Sequence, residues 1–269
     1  MSNEKLSIGA IAGDIIGSVY EWNNVKKVDF DLFRHKSTFT DDSVLTLATM
    51  DAILNQRNYS ESYQSFGRNY PHRGYGGHFR SWIYSENPEP YDSWGNGSAM
   101  RVSPIGWYGN TIEEVMAEAK KSAEVTHNHP EGIKGAQSTA VAIFMARMGK
   151  DKSEIKRHIT DTFKYDLERK IDDIRPHYEF DVSCQGSVPE AIIAFLESTD
   201  FENAIRLAIS IGGDSDTIAC ITGGIAEAYY KVIPEDIAEN VLKILPNELI
   251  KIIEGFSIKY RELAQAEIS

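Results

Sequence analysis

Apolar residues recur along most of the chain at the three-to-four spacing of a helix face, and the strict alternation of a half-buried strand is scarce. Residues 6–20 are apolar and rich in small side chains. Gly9, Ala10, Gly13 and Gly17 are spaced there so that a second helix can pack closely. Residues 40–54 predict a second helix. Thr111 opens a third, and Glu114 three residues later gives a capping-box pattern. Residues 135–148 are apolar on nearly every side, which predicts a buried central helix. Segments 188–196, 201–209, 216–230, 234–245 and 247–266 complete the set. Residues 70–107 break the pattern, being rich in Gly, Pro, Tyr and Trp. An irregular stretch of that length inside a compact domain is usually functional. The pattern predicts an all-α globule with one elaborated loop region. No linker, repeat or low-complexity run divides it, so residues 1–269 read as one domain.

Composition narrows the partners. Hydrophobic residues make up 42% of the chain and charged residues 25%, ordinary values for a globular protein. The net charge is −12, without a basic run, so a nucleic-acid groove is not expected and nucleic acid would be met only as a modified acceptor. A phosphorylated small ligand remains open if metal ions, helix N-termini or backbone amides supply local positive potential. The two cysteines, Cys184 and Cys220, form no CxxC motif or disulfide framework. They read as core residues, not nucleophiles, and fit a reducing cytoplasm. The polar N-terminus lacks the layout of a signal peptide, and no apolar run reaches the roughly 18 residues that span a membrane.

Two acidic clusters carry the candidate chemistry. In Phe39-Thr40-Asp41-Asp42-Ser43 a pair of carboxylates follows a threonine just before an apolar helix. One reading is a helix start, with Thr40 as N-cap and the acids favoured by the helix dipole. The other is a metal site. The chain repeats the motif in Ile211-Gly212-Gly213-Asp214-Ser215-Asp216-Thr217-Ile218, where the glycines permit a tight backbone turn. Thr40, Asp41, Asp42, Asp214, Asp216 and Thr217 are all hard oxygen ligands, suited to Mg²⁺, Mn²⁺ or Ca²⁺ and not to zinc or copper. Four carboxylates meeting in a helical core would repel unless cations neutralised them. The alternative is that the two helix starts never meet. Asp14 reads either as a partner behind the metal loop or as a buried cap. In Thr126-His127-Asn128-His129-Pro130 the histidines mark a helix end or touch a ligand.

Four blocks, in order, resemble the ADP-ribosylglycohydrolases, a family related to the glycohydrolase that reactivates dinitrogenase reductase. They are Gly9-Ala10-Ile11-Ala12-Gly13-Asp14 through Glu21, Phe39 through Ser43, Gly95-Asn96-Gly97-Ser98-Ala99-Met100-Arg101, and Gly212 through Thr217 with Gly223-Gly224-Ile225 following. Thr126-His127 is a fainter match. The resemblance implies a single-domain orthogonal helical bundle with a binuclear Mg²⁺ or Mn²⁺ centre at the ends of core helices. It implies Thr40, Asp41, Asp42, Asp214, Asp216 and Thr217 as ligands of two ions, with Asp216 as the bridge, and Glu21 as a gating carboxylate near the metals. It also implies that Gly95 through Met100 cradle ribose and phosphates.

The implied reaction is hydrolysis of the glycosidic bond between ADP-ribose and an acceptor, with Glu21 or Asp41 moving the proton. Gly95, Gly97 and the amides through Ala99 suit a pyrophosphate. An aromatic ring from residues 70–107 could stack on adenine, and His127 could touch the ligand. ADP-ribosylated protein or a small ADP-ribose conjugate is the expected partner, and the chain is expected to be a monomer. The alternative is a catalytically weak or inactive ADP-ribose-binding module. For the acceptor, Glu86, Glu89 and Asp92 before the glycine loop favour a guanidinium, hence ADP-ribosylarginine. Against this, Gly17-Ser18-Val19-Tyr20-Glu21 looks similar to the branch of the family that cleaves serine-linked ADP-ribose.

Overall fold

The computed structural model describes residues 7–266, with side chains described to residue 262. Fourteen α-helices occur among these residues and no strand. The first seven are α1 (Gly9–Gly17), α2 (Asp41–Asn55), α3 (Tyr59–Asn69), α4 (Gly77–Trp82), α5 (Ser103–Tyr108), α6 (Ile112–Glu124) and α7 (Pro130–Arg147). Then follow α8 (Lys152–Phe163), α9 (Ile171–Ile174), α10 (Cys184–Glu197), α11 (Phe201–Ile211), α12 (Ser215–Tyr230), α13 (Glu235–Ile244) and α14 (Asn247–Ala266).

Helix α12 is the centre. It packs against α1, α7, α10 and α11, and its residues from Ser215 to Ala228 are all buried. Helix α1 is buried over its whole length. The two approach backbone to backbone because glycine faces the contact. A Cβ on Gly9 would strike the Gly223 carbonyl, one on Gly13 the Ala219 carbonyl, and one on Gly17 would lie 2.5 Å from Asp216 Cα. The small-residue spacing thus becomes a seam in which Gly17 abuts the first turn of α12. At the other end Glu227 accepts from the amide of Gly9 at 2.8 Å and that of Ile8 at 3.3 Å, supplying the cap that Ile8 itself lacks.

The expected helices are present with shifted ends, and each shift has a local cause. Helix α10 starts at Cys184, before Val188, because the Ser183 hydroxyl accepts from Gly186 N at 3.0 Å; Pro189 sits inside it. Helix α7 starts at Pro130, before Gly135, because His129 Nδ1 accepts from Glu131 N at 3.1 Å. Leu6 lies outside the described residues. Residues 70–107 are not wholly irregular: α4, a 3₁₀ turn at Asn96–Ser98 and the start of α5 lie there. Helices α3 and α8 were not expected. Their buried stripes are narrow, Tyr59-Ser62-Tyr63-Phe66-Gly67 and Ile155-Ile159-Phe163, and give little periodic signal.

The seam yields a test. Gly13→Val should destabilise the fold by about 3 kcal/mol or more, because two backbones must part. Gly77→Ala, where a Cβ meets nothing within 4 Å, should stay within about 0.5 kcal/mol of wild type. Denaturant midpoints of the two variants check both values.

Candidate active site

The two acidic clusters meet. Thr40 Oγ1 caps α2 by accepting from Asp42 N at 3.3 Å, and it donates to Asp14 Oδ1 at 2.6 Å. Asp14, on α1, also accepts from Thr40 N at 2.9 Å, from Ser43 N at 3.1 Å and from the Ser43 hydroxyl. Asp14 therefore caps α2 from a neighbouring helix. Thr217 Oγ1, in the first turn of α12, donates to Asp42 Oδ2 at 3.3 Å. Helix start and acidic convergence are both true of the first cluster. Gly212 and Gly213 take φ of +79° and +68° to turn the chain before α12. A Cβ on Gly213 would strike the Tyr178 ring.

Two groups of three carboxylates bring oxygens within 4.8 Å of one another: Asp14, Asp42 and Asp216, and Glu21, Asp214 and Asp216. Asp216 belongs to both. Burial raises the pKa of Asp14, against hydrogen bonds from Ser43 and Thr40 that lower it. Burial, then the Asp14 carboxylate, raises Asp41 and Asp42 well above the ordinary range. Burial and Asp214 do the same to Asp216. Glu21 is half-buried and is pushed up to about 7, by burial first and by Asp214 second. Asp42 Oδ1 is buried with no hydrogen-bond partner among the described residues. An orphaned oxygen on one of several converging carboxylates, in an all-oxygen donor set, fits a hard divalent cation.

These groups floor a cavity of about 410 Å³. Glu21, Thr40, Asp41, Asp42, Asp214, Asp216 and Thr217 all line it, as do Gly95, Asn96, Gly97, Met100 and His127. Asp41 belongs to neither carboxylate group; its amide donates to Arg73 O at 2.7 Å. The glycine loop is tied to the residues before α10, with Asn96 N donating to Val182 O at 2.7 Å and Cys184 N to Trp94 O at 3.0 Å. The Asn96 side-chain amide donates to Asp214 Oδ2 at 2.6 Å and to Ser187 Oγ at 3.0 Å, so it orients an acid of the floor. Ser98 and Ala99 do not line the cavity. The 3₁₀ turn buries both: Ser98 Oγ donates to Gly132 O at 2.7 Å and Ala99 N to Asn96 O at 2.8 Å. Both cysteines are buried behind the loop, Cys184 Sγ donating to Gly95 O at 3.1 Å and Cys220 Sγ to Met100 O at 3.3 Å.

Glu86, Glu89 and Asp92 are exposed and none lines the cavity. Residues the sequence reading did not single out do line it: Trp22, Arg73, Gly74, His78, Tyr91 and Phe180 among them. Trp22 and Phe180, both largely exposed, stack at the rim with centroids 5.1 Å apart. The glycine-rich run Gly74-Tyr75-Gly76-Gly77 was a usable signal for the wall near Arg73. Nothing in the pattern around Phe180 marked it.

The class that fold and site define is an all-α protein with an acid-floored cavity. The ADP-ribosylglycohydrolase family model matches residues 6–266, and the chain belongs to that family. It is 27% identical over 312 residues to ADP-ribosylhydrolase ARH3 of Homo sapiens, covering 84% of this chain and 85% of that protein. It is 26% identical over 306 residues to ADP-ribosylhydrolase ARH3 of Gallus gallus, covering 82% and 83%. A solved structure described as an ADP-ribosylglycohydrolase-related protein complex superposes with a TM-score of 0.73 at 21% identity, over 96% of both chains, and shares the fold. No helix among the described residues is long and apolar enough to cross a membrane.

The raised carboxylates give a pH test with a definite sign. Above the ordinary carboxylate pKa near 3.8, the metal-free native chain holds protons on Asp41, Asp42 and Asp216 more tightly than the unfolded chain does, because burial and neighbouring carboxylates raise all three. Stability of chelated protein should therefore fall as pH rises above that value. Saturating Mg²⁺ or Mn²⁺ should remove or reverse the slope, since ligands must be deprotonated to bind. Melting temperatures with and without chelator read both effects, and parallel curves would count against a metal at this floor.

Proposed function

We propose that the chain removes ADP-ribose from a modified acceptor by hydrolysing the bond at ribose C1″. The observation that carries this reading is Asp216, shared by both carboxylate groups at the floor of a cavity whose wall is the Gly95-Asn96-Gly97 loop. Thr40, Asp41, Asp42, Asp214, Asp216 and Thr217 would hold two Mg²⁺ or Mn²⁺ ions, and Asp216, common to both carboxylate groups, would serve both. Asp14 accepts four hydrogen bonds at the start of α2 and orients Thr40 and Ser43 behind the ligands. Bound ions would polarise ribose hydroxyls and lower the pKa of a water.

The chain's own residues supply the rest. Cleavage passes through an oxocarbenium-like state, so the ribose must be held and a proton moved. Glu21 stands at the edge of the floor, half-exposed, with a pKa of about 7, and can hold or deliver that proton near neutrality. Gly95 and Gly97 have no side chain in the way of a phosphate or ribose. Asn96 fixes Asp214. An inactive binding module would have little use for so strained a set of acids.

On the acceptor, the carboxylates expected to steer a guanidinium stand outside the cavity, and Arg73 lines it. We therefore favour a neutral, serine-type linkage over arginine. ADP-ribose on serine, arginine and glutamate peptides, offered in one tube with Mg²⁺ and followed by mass spectrometry, decides this. Serine should be lost fastest. Faster loss from arginine overturns the preference, and no loss from any peptide overturns the hydrolase reading.

Substitutions test the roles. Asp216→Asn should cut turnover by at least about 10²-fold while the chain still folds, because lost repulsion offsets lost coordination. Glu21→Gln should lower kcat with ADP-ribose affinity nearly unchanged. Isothermal titration beside initial rates separates the two, and a large loss of affinity would make Glu21 a ligand contact.

A further inference from the structure

Arg101 is the largest fully buried side chain among the described residues, and no carboxylate pairs with it there. Its Nη2 donates to Ser122 O at 2.6 Å and to Thr126 Oγ1 at 2.9 Å, and its Cζ lies 4.2 Å from the centre of the Tyr63 ring. An isolated buried cation is unfavourable, so its position needs a reason. Arg101 and His127 both line the cavity wall.

Donor and acceptor logic supplies the reason. A guanidinium only donates, so Thr126 Oγ1 accepts from it. The hydroxyl proton of Thr126 then has two possible acceptors: His127 Nδ1 at 2.7 Å and Ala123 O at 3.5 Å. The shorter contact takes it. With Nδ1 accepting, the proton of a neutral imidazole sits on Nε2. Placing it on Nδ1 instead would make the Thr126 hydroxyl accept twice and leave its own proton only the long contact to Ala123 O at 3.5 Å. Burial, then the charge of Arg101, holds the ring well below the ordinary histidine pKa, so the neutral form is the one present. Nε2 faces the glycine loop, 3.2 Å from where a Cβ on Gly97 would stand and 3.6 Å from one on Gly95.

We infer that Arg101 and Thr126 are positioning residues that lock His127 as an Nε2–H donor, aimed at a ligand oxygen held by the Gly95–Gly97 loop. The identity of the ligand rests on the ADP-ribose reading above; the locked tautomer does not. In this state His127 gives a hydrogen bond to the ligand and cannot serve as a base through Nε2. A glycine at position 97 leaves room for that oxygen between loop and ring.

The test uses the whole chain with ¹⁵N-labelled histidine. Among its seven histidines, His127 is assigned by loss of its signals in His127→Gln. The wild-type chain without ligand should show a protonated Nε2 and a bare Nδ1. Thr126→Val should lose this signature to a mixture of tautomers, and Thr126→Ser should restore it. ADP-ribose should bind about tenfold more weakly to Thr126→Val, the value of one hydrogen bond, with rescue by serine. A protonated Nδ1 in the wild type overturns the inference. So does a Thr126→Val chain that keeps both tautomer and affinity. If wild type shows the locked tautomer but does not bind ADP-ribose, the ADP-ribose reading fails and the positioning inference stands, because the spectra are taken without ligand.

Discussion

Everything at the floor depends on how closely two backbones can lie. The contact between α1 and α12 has no side chains between it at Gly9, Gly13 and Gly17. It places Asp14, which lies between Gly13 and Gly17 in sequence, beside the first turn of α12. Asp216 therefore comes within 4.8 Å of it without either residue reaching. A methyl group anywhere along the seam would move one carboxylate group away from the other. Core packing and site geometry are here one quantity, since interiors at crystal-like density transmit a displacement and do not absorb it.

That closeness has an electrostatic consequence. The floor gathers Asp41, Asp42, Asp214 and Asp216, with Asp14 behind it and Glu21 at its edge; all but Asp41 and Glu21 are buried, and among the described residues no lysine or arginine is paired with them. Hydrogen bonds satisfy part of the set. Thr40 and Ser43 serve Asp14, Asn96 serves Asp214, and Thr217 serves Asp42. The remainder, Asp42 Oδ1 above all, is left for a cation or a proton. Local frustration concentrated in one spot is common where a protein must bind something it does not make.

The fold was largely legible because helices with broad apolar faces declare themselves. Segments 40–54, 201–209 and 216–230 match α2, α11 and α12 to within a residue or two. Helices α3 and α8 were illegible because tyrosine, serine and glycine fill part of one stripe and three residues carry the other. The acids were legible as ligand types, and the resemblance placed them. That they converge was not, since it is decided by residues 175 apart, as for Thr217 and Asp42. The roles within the glycine loop were the least legible. Whether Asn96 faces a ligand or Asp214, and whether Ser98 lines the cavity or supports the turn, depends on a bridge to Val182 that leaves no local mark. The rim pair Trp22 and Phe180 is invisible for the same reason.

The clasp of Glu227 on the amide of Gly9 spans 218 positions, almost the whole chain. Its consequence lies in the order of synthesis. Helix α1, buried on every side, is synthesised about 200 residues before α12, its most extensive partner. At about 5–20 residues per second the wait is roughly 10–40 s. During that time a fully buried helix has nothing to be buried in. The nascent chain is then a natural client for a chaperone that shields short apolar segments. The floor likewise cannot be completed by a metal until Asp214 and Asp216 have been made, about 170 residues after Asp42.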